Sequence, residues 1–129
     1  MEYKNIIRIF ITVFLLLFTN SCYLLKENGI EIEIKNNNDS PITDIKFYTS
    51  EKLDILEFSK LKPNESFSKF LSMKKNTSDG SYILSFTRED GKIEHLKTGY
   101  YTNGGALDRW VRFNVEKDTT LVKYSGIGY

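Results

Sequence analysis

Ile30-Glu31-Ile32-Glu33-Ile34-Lys35 alternates apolar and charged side chains without a break. Successive residues of an extended chain point to opposite faces, so this period of two describes a strand with one buried and one wet face. The same signature returns downstream. Thr43 to Ser50 sets Ile45 and Phe47 on one side, with Lys46 and Tyr48 on the other. Ser81 to Arg88 places Tyr82, Leu84 and Phe86 on one face and Ile83 on the second, the pattern of a central strand. Val111, Phe113 and Val115 alternate through Trp110 to Glu116. Ser66 to Met73, Ile93 to Thr98 and Thr119 to Tyr124 read as further strands. Leu53 to Phe58 is weaker: Leu53, Leu56 and Phe58 do not share one strand face, and a short helical turn is the alternative.

Turn residues punctuate these runs. Asn36-Asn37-Asn38-Asp39-Ser40-Pro41 combines residues that tolerate left-handed backbone, or bond to their own backbone, with a proline that cannot continue a ladder. Glu89-Asp90-Gly91-Lys92 reads as a hairpin turn, and Lys117-Asp118 as another. Leu61-Lys62-Pro63-Asn64-Glu65 resembles the Leu-x-Pro-Gly-Glu turn of many immunoglobulin-like sandwiches, with Asn64 in the place of the glycine. Seven or eight short, regularly spaced strands with no long helical period describe a small all-β sandwich over residues 30–129. Its strand order is left open between immunoglobulin-like and transthyretin-like.

The chain ahead of the strands has a different character. After basic residues, Ile9 to Phe18 is apolar except for Thr12, and Thr19-Asn20-Ser21 leads to Cys22, the only cysteine. A basic lead, a short apolar core and small residues form a secretory signal, and the core is about half the roughly 20 residues needed to span a bilayer. The residues around Cys22 resemble the lipobox of bacterial lipoproteins, in the relaxed form common in Bacteroidota-like envelope lipoproteins. Ser21 is the small residue before the cysteine, and Thr19 stands where that family most often has leucine. The resemblance implies a signal peptide at 1–21, a lipid on Cys22, a short tether over 22–29 and a protein anchored in the cell envelope, at the outer membrane, on its periplasmic or surface face. The alternatives are an unlipidated thiol beside a generic signal and a retained signal anchor.

Removing residues 1–21 takes away Glu2, Lys4 and Arg8, so the full-length formal charge of +1 becomes zero. A neutral domain lacks the clustered cations that phosphate backbones require, which argues against nucleic acid. No polybasic run serves an anionic membrane surface, so attachment would rest on the acyl chains.

The catalytic inventory is thin. His95 is the only histidine, and without a second histidine or a free thiol it supports neither a metal site nor a nucleophile pair. Glu89, Asp90 and Glu94 cluster around a turn in which Asp90 has an ordinary backbone role, and Asn36 to Ser40 is an oxygen-rich stretch better explained as a turn. These features describe a non-enzyme with no metal and no cofactor. Gly99 to Arg109 reads as an eleven-residue glycine-flexed segment. With Trp110, it gathers Tyr100, Tyr101, Asn103 and Arg109, the residue types enriched in binding hot spots. The competing reading places the tyrosines over the open end of the core and Trp110 between the sheets, although Arg112 and Asn114 share the tryptophan's side of the strand. The functional expectation is a lipid-anchored module that binds an envelope protein. The alternatives are an inhibitor or immunity lipoprotein that blocks an enzyme or toxin, and a carbohydrate-binding module.

Overall fold

The computed structural model describes residues 3–8, 10–11 and 27–126. Cys22 and the segment 12–26 lie outside the described residues, as do parts of the expected signal peptide and tether. Residues 3–8 are helical, and among the described residues no helix is long and apolar enough to cross a membrane. The rest is β-structure: β1 (Gly29–Asn36), β2 (Ile42–Thr49), β3 (Ile55–Leu61), β4 (Ser66–Ser72), β5 (Gly80–Thr87), β6 (Ile93–Thr102), β7 (Gly105–Ala106), β8 (Trp110–Val115) and β9 (Thr120–Tyr124).

The strands form a four-stranded sheet, β4-β1-β8-β9, and a five-stranded sheet, β3-β2-β5-β6-β7. β1 and β8 run parallel, and the other pairs are antiparallel. This order differs from the immunoglobulin arrangement, in which the first strand pairs with the second. Here β1 and β2 lie in different sheets, and β1 sits between β4 and β8.

The alternation in β1 sets the register. Ile30, Ile32 and Ile34 are fully buried between Leu71 of β4 and Val111, Phe113 and Val115 of β8. Burying an isoleucine is worth about 1.5–3 kcal/mol. A one-residue slip would trade all three for Glu31, Glu33 and Lys35, so the register has no near competitor. Across the interior, Phe47 stacks on Tyr82 at 5.9 Å between ring centroids and meets Phe113 edge-on at 5.8 Å, joining the two sheets. β5 is the middle strand of its sheet, with Tyr82, Leu84 and Phe86 buried.

The asparagine-rich loop is a turn built on a buried residue. Asn36 Nδ2 donates to the carbonyls of Ser40 (2.9 Å) and Leu61 (3.1 Å), and its Oδ1 accepts from the Asn38 N–H at 3.0 Å. In the turn before β4, Asn64 takes a φ of 62° and fills the glycine's place. The Lys62 N–H donates to Glu65 Oε2 at 2.7 Å, closing that turn.

Two sequence expectations shift. β3 begins at Ile55, leaving Leu53 exposed in the preceding turn, and Leu56 and Phe58 then share the inner side. β6 does not stop at Thr98. It continues to Thr102 and folds back through Asn103-Gly104 into β7, so most of the expected loop is a hairpin. Asn103 and Gly104 have φ of 47° and 71°, the double left-handed turn that Asn-Gly favours.

Candidate functional site

The hairpin from Gly99 to Ala106 is fixed by three local devices. The β5–β6 register shifts between Gly80 and Tyr82, and Gly99 on the facing strand has a φ of 63°. A Cβ at Gly99 would come within 2.8 Å of the Tyr82 ring and 3.0 Å of the Tyr124 ring, so the bulge is open only to glycine. Asp79 then clamps the hairpin from outside. It accepts from the Asn103 N–H (2.8 Å), the Tyr100 hydroxyl (2.7 Å) and Thr102 Oγ1 (2.9 Å), and these donors hold its carboxyl below the usual aspartate range. Glu51 does the same for the neighbouring loop. It accepts from Asn76 Nδ2 (2.6 Å), from the N–H groups of Thr77 and Ser78 (3.2 Å each) and from the Tyr101 hydroxyl (3.0 Å). The Asn76 amide is the main cause of its lowered pKa.

The structure separates the five residues singled out for binding. Tyr101 is fully buried against Tyr82 and belongs to the core. Tyr100, 45% exposed, lies on the opposite side of β6. Asn103 is the exposed tip of the hairpin. Arg109 is exposed beside an open cleft of about 380 Å³ that Glu27, Asn28, Ala106 and Asp108 also line. Its N–H donates to Ser125 Oγ at 2.8 Å, and that hydroxyl donates to the buried Asp108 at 3.1 Å. Cys22 lies outside the described residues.

Trp110 is not between the sheets. It is half-buried on the outer face of the four-stranded sheet, the side it shares with Arg112. The Arg112 guanidinium lies 4.2 Å from the indole centroid, and its Nε pairs with Glu33 Oε2 at 2.9 Å. By register Trp110 faces Glu31, which faces Phe70, and Phe70 is 40% exposed. An aromatic, a carboxylate and an aromatic thus form one row across three strands, beside a row of Ser68, Glu33, Arg112 and Lys123. Neighbouring strands are about 4.8 Å apart, so the aromatic positions are roughly 10 Å apart.

Of the three acids around the β5–β6 turn, Glu89 is exposed, while Asp90 and Glu94 have structural partners. Asp90 Oδ1 accepts from the Lys92 N–H at 2.9 Å, and Glu94 pairs with Lys92 (2.9 Å) and Arg88 (3.0 Å), which together lower its pKa, Lys92 most. His95 is exposed on the outer face of β6, opposite Ser85. Among the described residues no three His, Cys, Asp or Glu side chains are placed to hold a metal ion.

Sequence reasoning overlooked Arg88. Only 8% exposed, it donates Nε to Glu94, and Nη1 to the carbonyls of Glu116 (2.9 Å) and Lys117 (2.8 Å), which ties the β5–β6 hairpin to the β8–β9 turn. Its only sequence signal is a cation ending an apolar run. The Tyr82 hydroxyl is also buried, with no hydrogen-bond partner among the described residues. Burial and then the nearby Asp108 push its pKa up.

The class these features define is a two-sheet all-β sandwich whose outward groups gather on sheet faces and edges. No family model matches the chain, and none of the curated proteins compared with it does. Among solved structures it is similar to the NMR structure of the protein from Eubacterium rectale, at 13% identity and a TM-score of 0.52, over 78% of this chain and 94% of that one. That likeness shows the fold.

Proposed function

We propose that this protein is a lipid-anchored envelope lipoprotein that acts without catalysis, binding a partner protein through the outer face of its four-stranded sheet. The observation that carries the reading is the placement of Trp110. A lone tryptophan that could have filled the core sits half-buried on a sheet face instead, stacked by Arg112 and in a row with the exposed Phe70. Tryptophan and arginine lead the residues that dominate binding energy at protein interfaces. The Glu33 pairing orients Arg112, so the stack is preorganised and little side-chain freedom remains to be lost on association. Lipid attachment rests on the lipobox-like residues ending at Cys22.

The test joins the two halves. A photo-crosslinking residue in place of Phe70 in the lipidated protein is expected to capture one partner in stoichiometric yield from envelope membranes, and Trp110→Ala should abolish the capture while leaving the melting temperature within about 2 °C. Uniform, weak labelling that Trp110→Ala does not change would rule out this face. The carbohydrate reading takes Tyr100, Tyr101 and Trp110 as stacking on sugar rings; Tyr101 is buried in the core, which leaves it resting on Trp110 and Tyr100. Quenching or enhancement of Trp110 fluorescence by soluble glycans would favour it over a protein partner.

A further inference from the structure

We propose that the open edge of β6, at Ile93, His95 and Lys97, is a docking rail for an extended acidic peptide of a partner protein, on the other sheet from Trp110. β7 closes the five-stranded sheet over only two residues, pairing with Tyr101 and Thr102. The first six residues of β6 therefore have β5 on one side and, among the described residues, no strand on the other.

The ladder fixes which backbone groups face that gap. The Arg88 N–H donates to the Lys92 carbonyl at 2.8 Å, marking a hydrogen-bonded pair at the hairpin. Such pairs recur every second residue in an antiparallel ladder, so Glu94, Leu96 and Thr98 spend their N–H and C=O groups on β5. The same groups of Ile93, His95 and Lys97 point away from β5. Their side chains share the outer face, and Ile93 is 60% exposed. No proline or bulge interrupts this run, since the bulge comes only at Gly99. An unpaired edge of this kind binds extended backbone.

Charge selects the occupant. By register His95 lies beside Ser85 and Lys97 beside Ile83, so β5 offers neither a carboxylate. The twofold register that would pair all three positions with a second copy sets His95 against His95 and Lys97 against Ile93, and neither basic side chain gains an opposite charge. An antiparallel peptide gives Lys97 an opposite charge and His95 a hydrogen-bond acceptor if it reads acidic, any, acidic, any, apolar, with its first acid opposite Lys97, its second opposite His95 and its apolar residue opposite Ile93.

The test uses the full chain in detergent and a fluorescent peptide containing Glu-Val-Glu-Thr-Ile. Fluorescence anisotropy is expected to show binding about tenfold tighter than for Lys-Val-Lys-Thr-Ile, weakening with salt. Methylating the backbone nitrogen of the second glutamate should abolish it. Hydrogen exchange should slow at the amides of Ile93, His95 and Lys97, and not at the already bonded Glu94, Leu96 and Thr98. Lys97→Glu should invert the preference between the two peptides, and Trp110→Ala should leave binding unchanged, which keeps this site separate from the sheet face proposed above. Equal affinity for both peptides, protection confined to other strands, or a concentration-dependent dimer that guards the same three amides without peptide would each overturn the proposal.

Discussion

At a φ of 71°, Gly104 lies against the Asn76 carbonyl, and a methyl group placed there would collide with that backbone. Gly91 has a similar φ of 83° but nothing within 4 Å of the same position. The pair separates strain from collision. Gly91→Ala is expected to cost about 1 kcal/mol for the left-handed conformation alone, and Gly104→Ala about 3 kcal/mol or more, read from urea midpoints at unchanged m-value. Equal losses would mean that the 73–79 loop moves aside at no cost. Asp79 and Glu51 make the same loop sensitive to acid. Their folded pKa values are depressed, so their contribution is complete above the ordinary carboxylate range and is lost as the pH falls through the lowered values. Asp79→Asn and Glu51→Gln, combined, are expected to flatten the acid arm of the stability profile. An acid arm as steep as that of the parent chain would show that the hydrogen bonds at these two carboxylates do not couple to folding.

Among the elements, the β5–β6 hairpin shows best what the sequence discloses. β5 was readable because its buried apolar residues are two apart and its turn contains Asp90-Gly91. The extent of β6 was not. Gly99 breaks the alternation by introducing a bulge, and after it Tyr101 faces inward while Tyr100 faces out. An Asn-Gly pair between β-formers was the signal that Thr102 to Gly105 is a turn, and three glycines within seven residues hid it by resembling a loop. Trp110 was ambiguous for another reason. Its period places it on the outer face, whereas its type suggests the core, and the period prevails because Val111, Phe113 and Val115 already fill the interior. Arg88 was invisible because its partners, the carbonyls of Glu116 and Lys117, are 28 and 29 residues away. Removing it strands two carbonyls at once and leaves Glu94 paired with Lys92 alone. Arg88→Met is expected to cost about 3–5 kcal/mol, and Arg88→Lys to recover little, because a lysine cannot reach Glu94 and both carbonyls with one ammonium. Thermal unfolding of the two variants decides it: a lysine variant as stable as the parent would show that charge, not the guanidinium fork, joins the hairpin to the β8–β9 turn.

At the scale of the whole molecule, the sandwich has two ends, and the proposed anchor distinguishes them. The chain enters at Asn28, whose side chain donates to the carbonyls of Met73 (3.0 Å) and Gly104 (2.8 Å) and draws the 73–76 loop and the β6–β7 hairpin to that end. The turns at Asn64, Gly91 and Lys117 are one strand length away, roughly 25 Å for the eight residues of β1. From Cys22 to Gly29 is seven peptide steps, a reach of at most about 25 Å. A lipid on Cys22 therefore keeps the Asn28 end near the bilayer and the Gly91 end outward, with both proposed binding surfaces running between them. Because the only cysteine would carry the lipid, single labelled cysteines introduced elsewhere report cleanly. In reconstituted vesicles a spin label at Lys75→Cys is expected to be relaxed strongly by a paramagnetic lipid headgroup, and one at Asp90→Cys weakly. Cys22→Ala should release the protein from the vesicles without changing its melting temperature, since the described sandwich begins at Gly29. Equal relaxation at the two labels would show that the domain tumbles free of the membrane on its tether. Retention of the alanine variant on membranes would remove the lipid anchor, and with it the distinction between the two ends.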